Sequence, residues 1–307
     1  MILCCGEALI DMLPRTTTEG GSSYAPHAGG AVFNTAIALG RLGTSSGFLC
    51  GLSQDFFGDL LADTLAESHV DVSLSPRLDR PCTLAFVRLV DGQATYAFYD
   101  ENTALKALTA DALPAIPDHV EAMFFGGISL AGEPCGSAYE ALLLREAPGR
   151  VTMVDPNVRP GFVRDRAAYV ARVMRMMAAS DVVKLSDEDL TWLMGPGAIE
   201  AHVATLRDAG TSLVLITEGA EGVTAYSDHG ATRVPAERVE VVDTVGAGDT
   251  FNAGFLSGLS DMGLLTKPAL REITQDQIRS AVSKGARTAA ITVSRAGANP
   301  PWAGELT

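Results

Sequence analysis

The run Asp243 to Gly254, DTVGAGDTFNAG, carries residue types suited to chemistry on a phosphate. Gly246, Ala247 and Gly248 are small enough for the backbone to approach a ligand closely. The apolar spacing from Phe251 to Leu259 predicts a helix whose first N–H groups have no partner within it. Small residues followed by a helix start make an anion cradle. Asp249 is out of place there, because a carboxylate repels the ligand that the cradle attracts. Work as general base for an attacking hydroxyl explains it, and so does a plain helix cap, where Asp is stabilised by the macrodipole.

Other candidates fall at predicted strand ends and helix starts. Asp155, Asn157 and Arg159 in DPNVRP follow the strand-like Val151 to Asp155, on the edge where open α/β sheets bind ligands. Arg159 offers a fork of donors to phosphate oxygens, or is a surface residue held by Asp155. In KLSDEDL, Lys184, Ser186 and Asp189 sit on the same kind of edge, and Ser186 with Asp189 is also close to a capping box. Asp11 follows the apolar run Ile2 to Gly6 and is placed either at the ligand crevice or on a solvated turn. Asn34 lies just past Gly29 and Gly30, where its amide can meet sugar hydroxyls. Thr217, Glu218, Gly219 and Gly222 in TEGAEG follow a strand and read equally as a hairpin turn. Ala286 and Ala289 leave a flat apolar surface for an adenine, or mark close helix packing.

The elements that must position these groups alternate. Strand-like runs at Ser46–Cys50, Ala122–Phe125, Val151–Asp155, Asp181–Leu185 and Ser212–Thr217 are separated by helical runs at Phe57–Glu67, Ser137–Arg145, Arg166–Ala178 and Ala198–Asp208. Such alternation predicts a largely parallel sheet covered by helices on both faces. Ala31 to Leu42 reads as a helix closed by Gly43. Two pieces leave the pattern. One is the polar, Gly-rich stretch from Pro14 to Ala28; the other runs from Cys82 to Tyr99 around Asp91-Gly92, a hairpin signal. Together they predict a small β-sheet lid, and no linker or internal repeat divides the chain.

The 307 residues suffice for one large α/β domain. A formal charge of −14 argues against nucleic acid or an anionic membrane as partner. No run of 18 apolar residues and no basic leader occurs, so neither a membrane span nor a secretory signal is expected. Cys4, Cys5, Cys50, Cys82 and Cys135 show no metal-binding or disulfide spacing, which predicts buried thiols and a reducing, cytoplasmic location. A dinucleotide-dependent oxidoreductase is disfavoured, because Gly248 is followed by Asp249-Thr250-Phe251 where a third glycine is required.

DTVGAGDTFNAG resembles the second signature of the ribokinase-like (PfkB) sugar kinases, and GGAVFNTAIALGRLG at Gly29–Gly43 resembles the first. TEGAEG is similar to the family's T-x-G-x-x-G nucleotide turn and DPNVRP to its DPN-x-R run, while GEALIDMLP and FYDENTA look most like fructokinases. The resemblance implies a single ribokinase-like three-layer α/β/α sandwich over residues 1–307, with a lid from about 13–28 and 81–100. It implies ATP and Mg²⁺, with Asp249 as base and Gly246, Ala247, Gly248 and Arg159 stabilising charge. Asp11, Gly29, Gly30 and Asn34 would hold the sugar beneath Tyr96 and Phe98. Lys184, Ser186, Thr217, Glu218, Gly219, Gly222, Ala286 and Ala289 would face the nucleotide. Ser186 and Asp189 stand where the family's N-x-x-E motif has Asn and Glu, so Asp189 would reach Mg²⁺ through a repositioned water. Asp243, Val245, Thr292, Arg295 and Gly297 would hold a K⁺ ion. Fructose is the expected acceptor, with 2-keto-3-deoxygluconate and ribose as competitors, a silent sugar sensor as rival, and a homodimer formed through the lid.

Overall fold

The structure is a computed structural model that describes residues 1–90 and 93–306, without the side chains of 89, 90 and 93–96. Asp91-Gly92 and the side chain of Tyr96 therefore lie outside the described residues. The chain opens with β1 (Ile2–Cys5), then β2 (Leu9–Thr16), β3 (Ser22–Gly29) and α1 (Ala31–Arg41). There follow β4 (Ser46–Leu49), β5 (Leu52–Ser53), α2 (Phe56–Glu67), β6 (Val70–Asp71), β7 (Arg77–Leu78), β8 (Leu84–Val90) and β9 (Gln93–Tyr99). The middle holds β10 (Ala122–Gly126), α3 (Cys135–Glu146), β11 (Val151–Asp155), α4 (Arg166–Ala179), β12 (Val182–Ser186), α5 (Asp187–Met194) and α6 (Ile199–Asp208). The last part holds β13 (Leu213–Thr217), β14 (Val223–Ser227), β15 (Gly230–Val234), α7 (Ala247–Asp261), α8 (Lys267–Arg271) and α9 (Gln275–Val293).

A nine-stranded sheet runs β15-β14-β13-β12-β11-β10-β1-β4-β6. Strands β6 to β13 of that order are parallel, and β14 and β15 add antiparallel at the edge. The central strands are buried on both faces, so they read as unbroken apolar runs whose successive side chains serve different layers. Ile2 and Cys4 join a core with α1, α2, α7 and α9, whereas Leu3 and Cys5 join one with α3, α4, α5 and α6. This is the three-layer α/β/α architecture expected from the alternation.

Strands β3-β2-β8-β9 form a separate four-stranded sheet. Its first strand begins at Leu9, earlier than the polar stretch at Pro14 suggested, because Leu9 and Ile10 are buried and give no polar signal. Asp11 consequently sits in β2, opposite His27 of β3, and not at the end of the first strand. The antiparallel hairpin β14–β15 also departs from the simple alternation. Thr217–Gly222 is the turn that reverses the chain into it, with Glu218 N–H donating to Gly222 O at 2.9 Å.

Five helices start on a side-chain cap: α2, α4, α5, α8 and α9 use Asp55, Asp165, Ser186, Thr266 and Thr274. Helices α1 and α7 do not. Each begins after a glycine at positive φ, Gly30 (117°) and Gly246 (79°), with no side-chain cap. A side chain at either position would be strained by the backbone, and a Cβ at Gly246 would stand 2.8 Å from that of Ala298.

Candidate active site

From β1 the chain proceeds outward to β4 and β6 in one direction, then returns to the other side of β1 to build β10 through β13. Reversal of strand order between β1 and β10 opens a crevice at the carboxyl ends of the strands. A cavity of about 670 Å³ lies there. Its walls come from the chain after β1 (Glu7), from the lid (Leu9, Asp11, Phe98), from the start of α1 (Gly30, Ala31, Asn34), and from the turns after β10 and β11 (Gly127, Asn157, Arg159, Phe162). The start of α7 closes it with Thr244 to Asp249.

Asp249 is the third residue of α7 and is 7% exposed. Its Oδ2 accepts from Asn34 Nδ2 at 2.9 Å and its Oδ1 from Asn157 Nδ2 at 3.5 Å. Thr35 Oγ1 donates to its carbonyl at 3.1 Å. Burial pushes the carboxyl up to about 7; the Asn34 donor pulls it down, Asp155 and Glu7 push it up, and Lys184 pulls it down. A carboxylate with this value exchanges a proton near neutrality, which suits a general base. Ala247 N–H meets Thr244 O at 3.3 Å, while among the described residues no acceptor takes the Gly248 N–H. That donor, with the helix dipole behind it, remains available to an anion.

Beneath the cradle lies a buried polar cluster. Asp155 is 1% exposed, and its Oδ2 accepts from Lys184 Nζ at 2.9 Å and from Asn252 Nδ2 at 2.7 Å. Arg159 is therefore not the partner of Asp155. Its guanidinium is exposed, donates to Val158 O at 3.1 Å, and borders the cavity. Lys184 Nζ stands 3.2 Å from where a Cβ would sit on Gly248, placing a cation directly behind the backbone that an anion would meet.

The other expected residues separate into groups. Asp11 borders the cavity with its carboxyl pushed up to about 6 by burial, and its Oδ2 stands 2.6 Å from where a Cβ on Gly29 would be. Ser186 caps α5 by accepting from Asp189 N–H at 3.0 Å, as its structural reading required. Asp189 Oδ1 takes the Val158 N–H at 3.2 Å, which ties α5 to the DPNVRP turn, and burial followed by Asp155 pushes its carboxyl up to about 6. Asp243 accepts from Val245 N–H at 3.0 Å and Gly297 N–H at 2.9 Å, joining the two loops beside the cradle. Thr292 is in the last turn of α9 and Arg295 just past its end, with Arg295 N–H donating to Thr292 O at 3.0 Å. Thr217, Glu218, Gly219, Gly222, Ala286 and Ala289 do not border the cavity that holds Asp249.

A profile described as pfkB family carbohydrate kinase matches residues 1–303. The chain belongs to the pfkB family of carbohydrate kinases. A fructokinase of Rhizobium leguminosarum bv. trifolii is 54% identical over 280 residues, covering 91% of this chain and 86% of that protein. Fructokinase of Xylella fastidiosa with bound ATP superposes with a TM-score of 0.89 at 30% identity, covering 99% of this chain and 96% of that one. Fructokinase of Vibrio cholerae O395 in a fructose-, ADP- and calcium-bound form gives 0.82 at 27% identity, covering 97% and 94%. This pfkB kinase is a phosphotransferase with the ribokinase-like fold.

Three residues at or beneath this cavity escaped the sequence reading. Asn252 lies inside DTFNAG, but only the fold turns its amide onto Asp155. Phe162 follows Arg159 and meets Phe98 of the lid, with ring centroids 4.1 Å apart. Glu7 is 1% exposed between three chain segments, a burial with no local sequence signal.

Asn34 supplies the hydrogen bond that holds the Asp249 carboxyl down, so Asn34→Ala should raise it further. More of the carboxyl is then protonated at pH 7. The acid limb of kcat/KM against pH should move to higher pH, with activity partly recovered under alkaline conditions. A limb that stays in place would separate Asn34 from the titration of Asp249.

Proposed function

We propose that this kinase transfers the γ-phosphoryl group of ATP to the primary hydroxyl of D-fructose, giving fructose 6-phosphate. The observation that carries the reading is Asp249: a buried carboxylate near neutral pKa, beside a cavity wide enough for a monosaccharide, next to a free main-chain donor. The names and bound ligands of the fructokinases compared above support fructose as acceptor. Asp11 and the backbone at Gly29 and Gly30 orient the sugar, and Asn34 and Asn157 hold the base toward it. Phosphoryl transfer through a loose transition state asks chiefly for positioning, and Asp249 accepts the hydroxyl proton late. The Gly248 amide and Arg159 meet the negative charge of the transferring group. Contact between Phe98 and Phe162 narrows the mouth against water.

Among the described residues no group of three or more His, Cys, Asp or Glu side chains could cage a metal. That suits Mg²⁺, which keeps waters and substrate phosphates as ligands. Asp189, buried beside the DPNVRP turn, would order one such water, and the bound ion would neutralise phosphate charge. Lys184 and Ser186 on β12, the Thr217–Gly222 turn, and Ala286 with Ala289 on α9 form the nucleotide side. The Asp243 carboxylate and the backbone oxygens of Val245, Thr292, Arg295 and Gly297 supply the hard donors that a K⁺ ion takes. Five free, buried thiols suit a reducing cytoplasm. Tyr24 and Tyr99, 46% and 63% exposed, lie on the lid with Phe86 between them, and this aromatic surface supports a homodimer through the lid.

In an ADP-release assay, fructose should give the highest kcat/KM among fructose, 2-keto-3-deoxygluconate, ribose, glucose and adenosine. Asp249→Asn should lower kcat by roughly 10²–10⁴ while ATP binding persists. Turnover with none of these acceptors would favour a sugar sensor, and near-normal turnover in the variant would remove Asp249 from the chemistry. Potassium should accelerate the reaction over tetramethylammonium, with equal rates counting against the cation site. Sedimentation should report a dimer that Tyr99→Lys dissociates; a monomeric wild type would dispose of the lid contact.

A further inference from the structure

Glu7 is a carboxylate without a cation. It is 1% exposed, directly after β1, and no Lys or Arg pairs with it among the described residues. Its oxygens are taken by main-chain donors, Oε1 by Ala31 N–H at 2.9 Å and Oε2 by Ser129 N–H at 3.4 Å. Two positive-φ glycines close on it. A Cβ at Gly30 would stand 2.8 Å from the Glu7 carbonyl oxygen, and one at Gly127 only 2.0 Å from Oε1. The side chain thus pins together the three segments that meet where strand order reverses: the exit of β1, the start of α1 and the turn after β10.

Burial pushes the Glu7 carboxyl above the usual carboxylate range while the main-chain donors pull it back, and an apolar residue would fill the same space without the cost of burying it. What the carboxyl provides is a fixed first turn for α1. Ala31 N–H is the first amide of that helix, and no side chain of the helix's own caps it. Asn34 lies one turn on, on the same face, and Thr35 follows; Asn34 donates to the Asp249 carboxylate, which Asn157 also meets, and Thr35 donates to the Asp249 carbonyl. A displacement of this turn therefore moves the base.

We propose that Glu7 is a positioning residue for phosphoryl transfer, anchoring the first turn of α1 so that Asn34 and Thr35 hold Asp249 at the acceptor hydroxyl. The inference rests on Asp249 being the base. Glu7 also acts through charge. Asp249 is faced by Asp155 of β11 and Lys184 of β12, while Asp11 and Arg159 border the same cavity, and Glu7 in its ionised form is among the groups that push the Asp249 carboxyl up.

The test is steady-state kinetics over pH on the full-length enzyme with ATP and its best acceptor. Glu7→Gln should lower kcat about 10-fold to 10²-fold, the penalty of a misplaced catalytic group, with the KM for ATP unchanged within about twofold. Its acid limb should move to lower pH, opposite to that of Asn34→Ala, because a negative charge near the base is gone. The double variant Glu7→Gln/Asn34→Ala should lose little more kcat than the worse single one. An unchanged kcat, multiplicative losses, or a limb that stays or rises would each overturn the proposal. Should Glu7→Gln fail to fold, Glu7→Asp carries the test: the shortened carboxylate should lower kcat with the acid limb in place, and full activity in it would be equally fatal. Failure of the underlying reading is seen separately, as a wild-type acid limb that survives in Asp249→Asn.

Discussion

Everything at the crevice follows from holding one carboxylate, Asp249, out of water. Moving an aspartate from 3.8 to about 7 corresponds to on the order of 4 kcal/mol of folding stability, present at acid pH and lost as pH rises through about 7. The fold carries this penalty at the pH where it works. It keeps the penalty finite with neutral donors, the amides of Asn34 and Asn157, rather than with a salt bridge, which would drive the carboxyl down.

The buried cation of Lys184 is instead committed elsewhere. Lys184 is 5% exposed and is bound by Asp155, so its charge reaches the cradle from behind while Asp155 satisfies it. Leaving either ion unpaired at this depth would cost about 3–5 kcal/mol, which makes the pair a structural clamp between β11 and β12. Asn252 then ties α7 to the same clamp. Helix α7 is held from below by this network and from the side by α1, and its Gly248 amide is left to whatever enters the cavity.

The alternation of strands and helices was legible because central parallel strands are apolar throughout and surface helices are amphipathic. The lid was legible in part. Its turn chemistry and polar stretch announce a departure from the main sheet, but Leu9 and Ile10 look like any buried strand, and the early start of β2 follows from tertiary packing. In the site, Asp249 and its glycines stood out because a carboxylate in an anion cradle is chemically incongruous. Asn34 was found for a different task, as a sugar ligand, since nothing local shows that its amide nitrogen crosses to α7, 215 positions along the chain. Arg159 was separable from Asp155 only after the fold gave Asp155 to Lys184. Glu7 had no signal at all: its importance arises from where β1 ends relative to two other turns, a relation between segments more than a hundred residues apart.

All five cysteines are buried, and burial pushes their thiols upward, Cys82 and Cys135 to about 12. Thiolates are the reactive form, so the native enzyme offers almost no nucleophilic sulfur to solvent. A fluorophore-bearing maleimide would consequently find a silent background, and one engineered surface cysteine at the rim of the small sheet would become a single-site optical reporter of its movement during turnover.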